Sequence, residues 1–219
     1  MNFDWSVVWR NADALVEGTK LTIMLAVTTM AIAIPGGIVL ALMRLSGVRA
    51  LSAASASFVE LFRNLPLILV IYTAYYVMPV ATGLSLPPIV TGIVALALNV
   101  SAYNSETFRA GIASIRQGQS DAAFALGMSR WQTTYEIVLP QAVRRVLPVL
   151  ASTWVSLFKD TSLVSVISVG ELAFTSMRIR SQTFRVLEML TAMALIYWML
   201  GYPQAKFVDW LNRRYGMNE

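Results

Sequence analysis

From Asn64 to Ser105 the chain runs for 42 residues without one Asp, Glu, Lys or Arg, about twice the roughly 20 apolar residues that cross a bilayer. The stretch predicts two spans. Their break falls within Met78-Pro79-Val80-Ala81-Thr82-Gly83-Leu84-Ser85-Leu86-Pro87-Pro88, where prolines and a glycine supply turn chemistry. Thr19 to Met43 is a further span with only Lys20 at its edge, and Pro35-Gly36-Gly37 predicts a bend in it. Val146 to Gly170 is apolar except for Lys159 and Asp160, and 186–205 except for Glu188. The pattern therefore predicts an all-α polytopic membrane protein with five spans, at about 19–43, 57–79, 88–108, 146–170 and 186–206. These form one domain over 19–210, followed by a tail at 211–219. Before it, Trp5, Val8, Trp9, Ala12, Leu15 and Val16 follow helical spacing with charges opposite. That segment, 1–18, reads as an amphipathic helix in the membrane interface rather than a signal peptide or a disordered end.

Composition supports this and narrows the chemistry. The chain is 57% hydrophobic and 13% charged over 219 residues, against about 45 to 50% and about 25% in soluble domains. It contains no cysteine and no histidine, which excludes disulfides, Cys- or His-held zinc, haem or iron-sulfur sites, and a Ser-His-Asp triad. The net charge of +5 suits loops that meet anionic lipid and gives no reason to expect nucleic acid. With the N-terminus outside and the C-terminus inside, the inner segments hold 11 Lys and Arg and the outer segments 5, with Lys159 inside a span. The positive-inside rule selects that orientation.

Between the third and fourth spans lies a loop, 109–145, longer than a connection needs. Gly118 is placed to break the preceding helix. Ser120 then caps a short helix over 121–126, closed by Gly127 in the left-handed conformation. Ser129 caps a second helix with Gln132 completing a capping box, and Leu139-Pro140 ends it. Such a structured, partly apolar protrusion suits either interfacial packing on the span ends or a docked partner.

The string Asp121-Ala122-Ala123, Gly127 four residues on, then Ile137-Val138-Leu139-Pro140 resembles the coupling loop of binding-protein-dependent ABC importer permeases. Asp121 stands where the family usually has glutamate. Further blocks resemble its polar amino acid (HisMQ-type) branch: Ser101-Ala102-Tyr103, Glu106, Arg109-Ala110-Gly111-Ile112, Ala125-Leu126-Gly127-Met128, Leu139-Pro140-Gln141-Ala142, Lys159-Asp160-Thr161-Ser162-Leu163 and Phe62-Arg63-Asn64-Leu65-Pro66-Leu67. Phe3-Asp4-Trp5-Ser6, Met43-Arg44-Leu45-Ser46 and Trp131-Gln132 are most similar to glutamate/aspartate permeases. The resemblance implies a type I permease fold in a bacterial inner membrane. It implies an extracytoplasmic solute-binding protein, two ATPase subunits and a second permease, identical or homologous. It makes Asp121, Ala122, Ala123 and Gly127 the ATPase-coupling residues. The chain has no phosphate-binding loop of the G-x-x-x-x-G-K-[ST] type, so no cofactor is expected on it; ATP and Mg belong to the ATPase.

Charges inside the bilayer mark function or interhelical glue. Lys159 and Asp160, with Thr161 and Ser162, fall near mid-span, and Asn99, Tyr103 and Asn104 bring polar groups to the third span. These seven are the candidate substrate path; interhelical bonding is the alternative. The tetrads Glu60-Leu61-Phe62-Arg63 and Glu106-Thr107-Phe108-Arg109 each place an acid and a base on one helix face, as local ion pairs or an inner gate. Arg178, Arg180 and Arg185 make an outer basic patch that steers an anion, docks a binding protein or meets lipid headgroups. No metal site is expected. The competing function is an ion-coupled secondary carrier, supported by Lys159 and Asp160 but not by any inverted repeat. A Ser-Lys membrane enzyme built on Ser156 and Lys159 is more remote, since helix back-bonding explains that serine.

Overall fold

The structure, a computed structural model, describes residues 3–215. The last four positions of the expected tail, 216–219, lie outside the described residues. Helices make up the described fold: α1 Ser6–Arg10, α2 Ala12–Leu45, α3 Arg49–Asn64, α4 Leu67–Thr82, α5 Pro88–Ala113, α6 Gln117–Ala125, α7 Arg130–Ile167, α8 Leu172–Thr183 and α9 Val186–Tyr215. The fold is all-α, as the pattern predicts. Helices α2, α5 and α9 are each long and apolar enough to cross a membrane, while α3 with α4 and α7 with α8 qualify as bent pairs, by 108° and 49°, giving up to 5 spans.

Helix α5 is the axis: 61% of its most apolar stretch is buried within the chain, against 33% for α2 and 17% for α9. Small residues set its closest approach. A Cβ on Gly36 would stand 2.5 Å from Ser101 Oγ, and one on Gly37 would stand 2.6 Å from Asn104 Cβ. The Pro35-Gly36-Gly37 string is thus a contact surface on a helix that runs on through Pro35. Without a hydrophobic drive between helices in lipid, such close backbone packing holds the pair together. Leu25, Ile71, Leu96, Leu157 and Val164 fill the core around it.

Four sequence expectations change. Only Ser6–Arg10 forms a separate N-terminal helix, because nothing between Ala12 and Thr19 interrupts helix propagation, and 12–18 joins the first span. Val7 and Leu15 pack against Met189 at the start of α9, and Asp4 N–H donates to Glu188 Oε1 at 2.9 Å. The Ser6 hydroxyl and Arg10 hold the Asp4 carboxyl below its ordinary range. The second span is not continuous over 57–79: Leu65 turns extended (ψ 136) ahead of Pro66, as the residue before a proline must. Gly118 lies inside α6, the preceding helix having already ended at Ala113. Finally, Pro140 does not end its helix. Thr133–Val138 adopts a π-helical turn just before it, and that wider turn absorbs the donor proline lacks.

Candidate functional site

The turn from α3 to α4 creates the main polar feature of the bundle. Pro66 has no N–H, so the carbonyl four residues earlier, on Phe62, loses its helical partner. Asn99 of α5 donates Nδ2 to it at 2.8 Å. The next carbonyl, on Arg63, accepts from the Tyr103 hydroxyl at 3.4 Å. Two side chains one turn apart on α5 thus satisfy the broken end of α3. Beside them a cleft of about 580 Å³ opens between the Arg63–Leu67 turn, α5 and α7. Helix α7 contributes Ser152, Thr153, Ser156 and Asp160, whose spacing puts them on one face. The Arg63 guanidinium lies over the Tyr103 ring, 5.5 Å from its centroid. The cleft therefore holds one cation, one carboxylate, amides and hydroxyls.

Of the seven predicted path residues, the structure brings Asn99, Tyr103 and Asp160 together here. Asn104 is fully buried and donates to the Ala33 carbonyl at 3.3 Å, joining α5 to α2. Thr161 is fully buried, its hydroxyl donating to the Phe158 carbonyl at 2.7 Å. Ser162 does not line the cleft. Lys159 is exposed on the next face of α7 and makes no hydrogen bond or ion pair among the described residues. Its setting was not foreseen. The α-helical part of α7 ends at Asp160 and tightens into a 3₁₀ turn, Thr161–Ile167, so Lys159 sits in a last α-helical turn where the helix dipole favours a cation. Ser152 and Ser156 were missed as cleft residues. Their signal was the hydroxyl spacing 152, 153, 156, which ends in the intramembrane acid at 160.

The two charged tetrads differ. Arg109 pairs with Glu106 at 2.6 Å. Glu60 and Arg63 form no ion pair among the described residues, because Arg63 is drawn over Tyr103. The three arginines do not make one patch. Arg185 lies 3.6 Å from Glu188, Arg178 shares a cleft of about 490 Å³ with Lys20, and positions 178 and 180 point roughly 200° apart on α8.

The loop end carries the second feature. Helix α6 closes in a Schellman motif: Met128 N–H donates to the Ala123 carbonyl at 3.1 Å and Gly127 N–H to the Phe124 carbonyl at 2.9 Å, with Gly127 at φ +81°. Ser129 and Gln132 form the predicted capping box. Ala123 is buried, while Asp121, Ala122 and Gly127 are exposed. Around them stand Leu126, 83% exposed, and Trp131, 71% exposed and edge-on to Tyr135 at 4.8 Å. A protruding apolar ridge of this kind suits a docked partner.

Residues 33–217 match the family described as binding-protein-dependent transport system inner membrane component. The chain belongs to that family. As a permease of this kind it is a multi-pass protein of the bacterial inner membrane that works with a binding protein, and ATP hydrolysis resides in a separate subunit. Among its relatives, the glutamate/aspartate import permease protein GltK of Escherichia coli O6:H1 is 36% identical, covering 97% of this permease and 98% of GltK. The glutamine transport system permease protein GlnP of Escherichia coli K12 is 34% identical, covering 98% of each. A solved amino acid ABC transporter, crystallised with histidines, superposes with a TM-score of 0.92 at 29% identity, covering 98% of this permease and 100% of that chain. The MetNI methionine transporter, at 18% identity and a TM-score of 0.64, shares the fold.

Proposed function

We propose that this chain is the permease subunit of an ATP-driven amino acid importer, with glutamate or aspartate as the substrate. The observation that carries the amino acid class is full-length similarity at 36% and 34% to two amino acid permeases. Identity so close between an acidic and a neutral substrate leaves the choice to the cleft. There Asp160 receives the ligand's ammonium group and Arg63 its α-carboxylate, with Ser152 and Ser156 beside them. Lys159, exposed and one residue from Asp160, supplies the cation for a side-chain carboxylate. The N-terminus lies outside and the C-terminus inside, by the distribution of Lys and Arg. Five spans are few to enclose a path, so two permeases, identical or homologous, stand side by side over two ATPase subunits. An extracytoplasmic binding protein delivers the substrate. Asp121, Ala122, Ala123 and Gly127 present α6 to the ATPase. This chain holds no cofactor in that scheme; ATP and Mg act in the ATPase.

The test is to purify the tagged chain from its native membrane, identify the co-purifying proteins by mass spectrometry, and measure uptake by the reconstituted complex. An ATPase, a second permease and ATP-dependent uptake of glutamate or aspartate are expected. Isolation without an ATPase, with uptake driven by an ion gradient, overturns the reading. In the same liposomes Lys159→Met is expected to abolish acidic amino acid uptake; wild-type uptake at equal expression removes Lys159 from the path. Gly127→Val forces a β-branched side chain into the left-handed region. It is expected to leave insertion intact while separating ATP hydrolysis from uptake, and retained coupled transport refutes the role given to α6.

A further inference from the structure

Glu171 is fully buried at the turn between α7 and α8, and nothing in the transport scheme above uses it. Its carboxylate collects donors from three helices. Oε1 accepts the Phe174 N–H at 2.7 Å and Oε2 the Ala173 N–H at 2.8 Å, which caps α8. Oε2 also accepts the Tyr197 hydroxyl of α9 at 3.0 Å and lies 3.4 Å from the Thr22 hydroxyl of α2. Thr22 Oγ1 accepts the Leu172 N–H at 3.1 Å. Ser, Thr, Asp or Asn caps a helix at less cost than a buried glutamate. What the longer side chain adds is its reach to Tyr197 and Thr22.

Tyr197 carries the connection inward. Its ring meets Phe158 edge-on, centroids 6.1 Å apart. Phe158 and Thr161 flank Lys159 and Asp160, at the point where α7 changes from α-helical to 3₁₀. Neighbouring helix positions point about 100° apart. The rotation of this turn therefore sets whether Asp160 faces the cleft with Lys159 at its rim. We infer that Glu171 is a positioning residue for the transport cleft: through the Tyr197 hydroxyl and the Tyr197 ring against Phe158 it fixes the last α-helical turn of α7 with Asp160 inward and Lys159 at the rim.

The inference rests on the cleft being the substrate path, and one experiment separates the two. Binding of radiolabelled glutamate and glutamine is measured on the purified permease–ATPase complex in nanodiscs, without the binding protein, together with Tm. Tyr197→Phe keeps the ring against Phe158 and removes the hydroxyl; Glu171→Gln keeps the shape and removes the charge. Freed to rotate, the turn no longer holds Lys159 at the rim beside Asp160, so the ratio of glutamate to glutamine affinity is expected to fall about tenfold, the worth of one charge-assisted hydrogen bond, with the Tm of Tyr197→Phe close to wild type. A merely structural role lowers Tm and leaves the ratio unchanged, and that result overturns the inference. If the ratio is unchanged while Asp160→Asn abolishes binding, the cleft reading stands and the positioning role falls. If Asp160→Asn binds as wild type does, the cleft reading falls and takes the inference with it. Should Glu171→Gln not fold, Tyr197→Phe decides the matter alone.

Discussion

Two spans of this bundle are broken, and they repair the break with opposite chemistry. At Pro66 the chain turns by 108° and leaves the carbonyl end of α3 unsatisfied; at Gly170 it turns by 49° and leaves the N–H end of α8 unsatisfied. A helix C-terminus offers acceptors and an N-terminus offers donors. Accordingly α5 supplies donors to the first break, the Asn99 amide and the Tyr103 hydroxyl. The second is met by an acceptor, the carboxylate of Glu171. The first repair uses neutral groups and stays open to a cleft, while the second buries a charge and is sealed by three helices. The open break is where a ligand fits; the closed one is where the fold is pinned.

The largest expected effect lies at the sealed break. Glu171→Leu leaves the N–H groups of Ala173 and Phe174 and the Tyr197 hydroxyl without their acceptor in a dry site. Each buried unsatisfied donor costs about 1 to 3 kcal/mol, so a loss of about 3 kcal/mol or more is expected, read as a fall in Tm in detergent and in the amount of chain accumulated in membranes. A Tm shift smaller than that of Asn99→Leu would reverse the ranking of the two breaks.

At the open break Asn99→Leu orphans one carbonyl, for about 1 to 3 kcal/mol. Pro66→Ala restores an N–H that competes for the same Phe62 carbonyl, so the cost of Asn99→Leu is expected to shrink in the Pro66→Ala background. A double-mutant cycle on Tm reads that coupling, about 0.5 to 3 kcal/mol for groups sharing one partner. Additivity within error would mean that Asn99 does not serve the carbonyl freed by Pro66.

This contrast also explains what could be read in advance. Five apolar stretches, the Gly127 turn and the Ser129–Gln132 capping box follow from local spacing, and the structure has them. The bend at Leu65-Pro66 lay in plain view as a proline, yet it fell inside an uncharged run of 42 residues whose length suggested a simple pair of spans. Asn99, Asn104 and Tyr103 looked alike as polar residues on one helix. Only tertiary placement separates the two that serve the break and line the cleft from Asn104, which is packed over Gly37. Glu171 stood at a span end, where an acid is unremarkable, because the donors it gathers come from residues 22 and 197, far away in the sequence.

The smallest effect tests how far the Pro66 break reaches into its surroundings. The two tetrads have the same spacing of acid and base, yet only Arg109 keeps its acid, because α5 runs straight past it while α3 stops at Asn64 and leaves Arg63 over Tyr103. The surviving pair is partly exposed, at 38% for Arg109 and 21% for Glu106, so water and salt screen it and about 0.5 kcal/mol is the scale to expect. Glu106→Gln should therefore lower Tm slightly at low ionic strength and hardly at all in high salt, while Glu60→Gln should change nothing at either. Equal, salt-sensitive losses at both positions would show that Glu60 and Arg63 also pair, and that the break does not divert Arg63 from its acid.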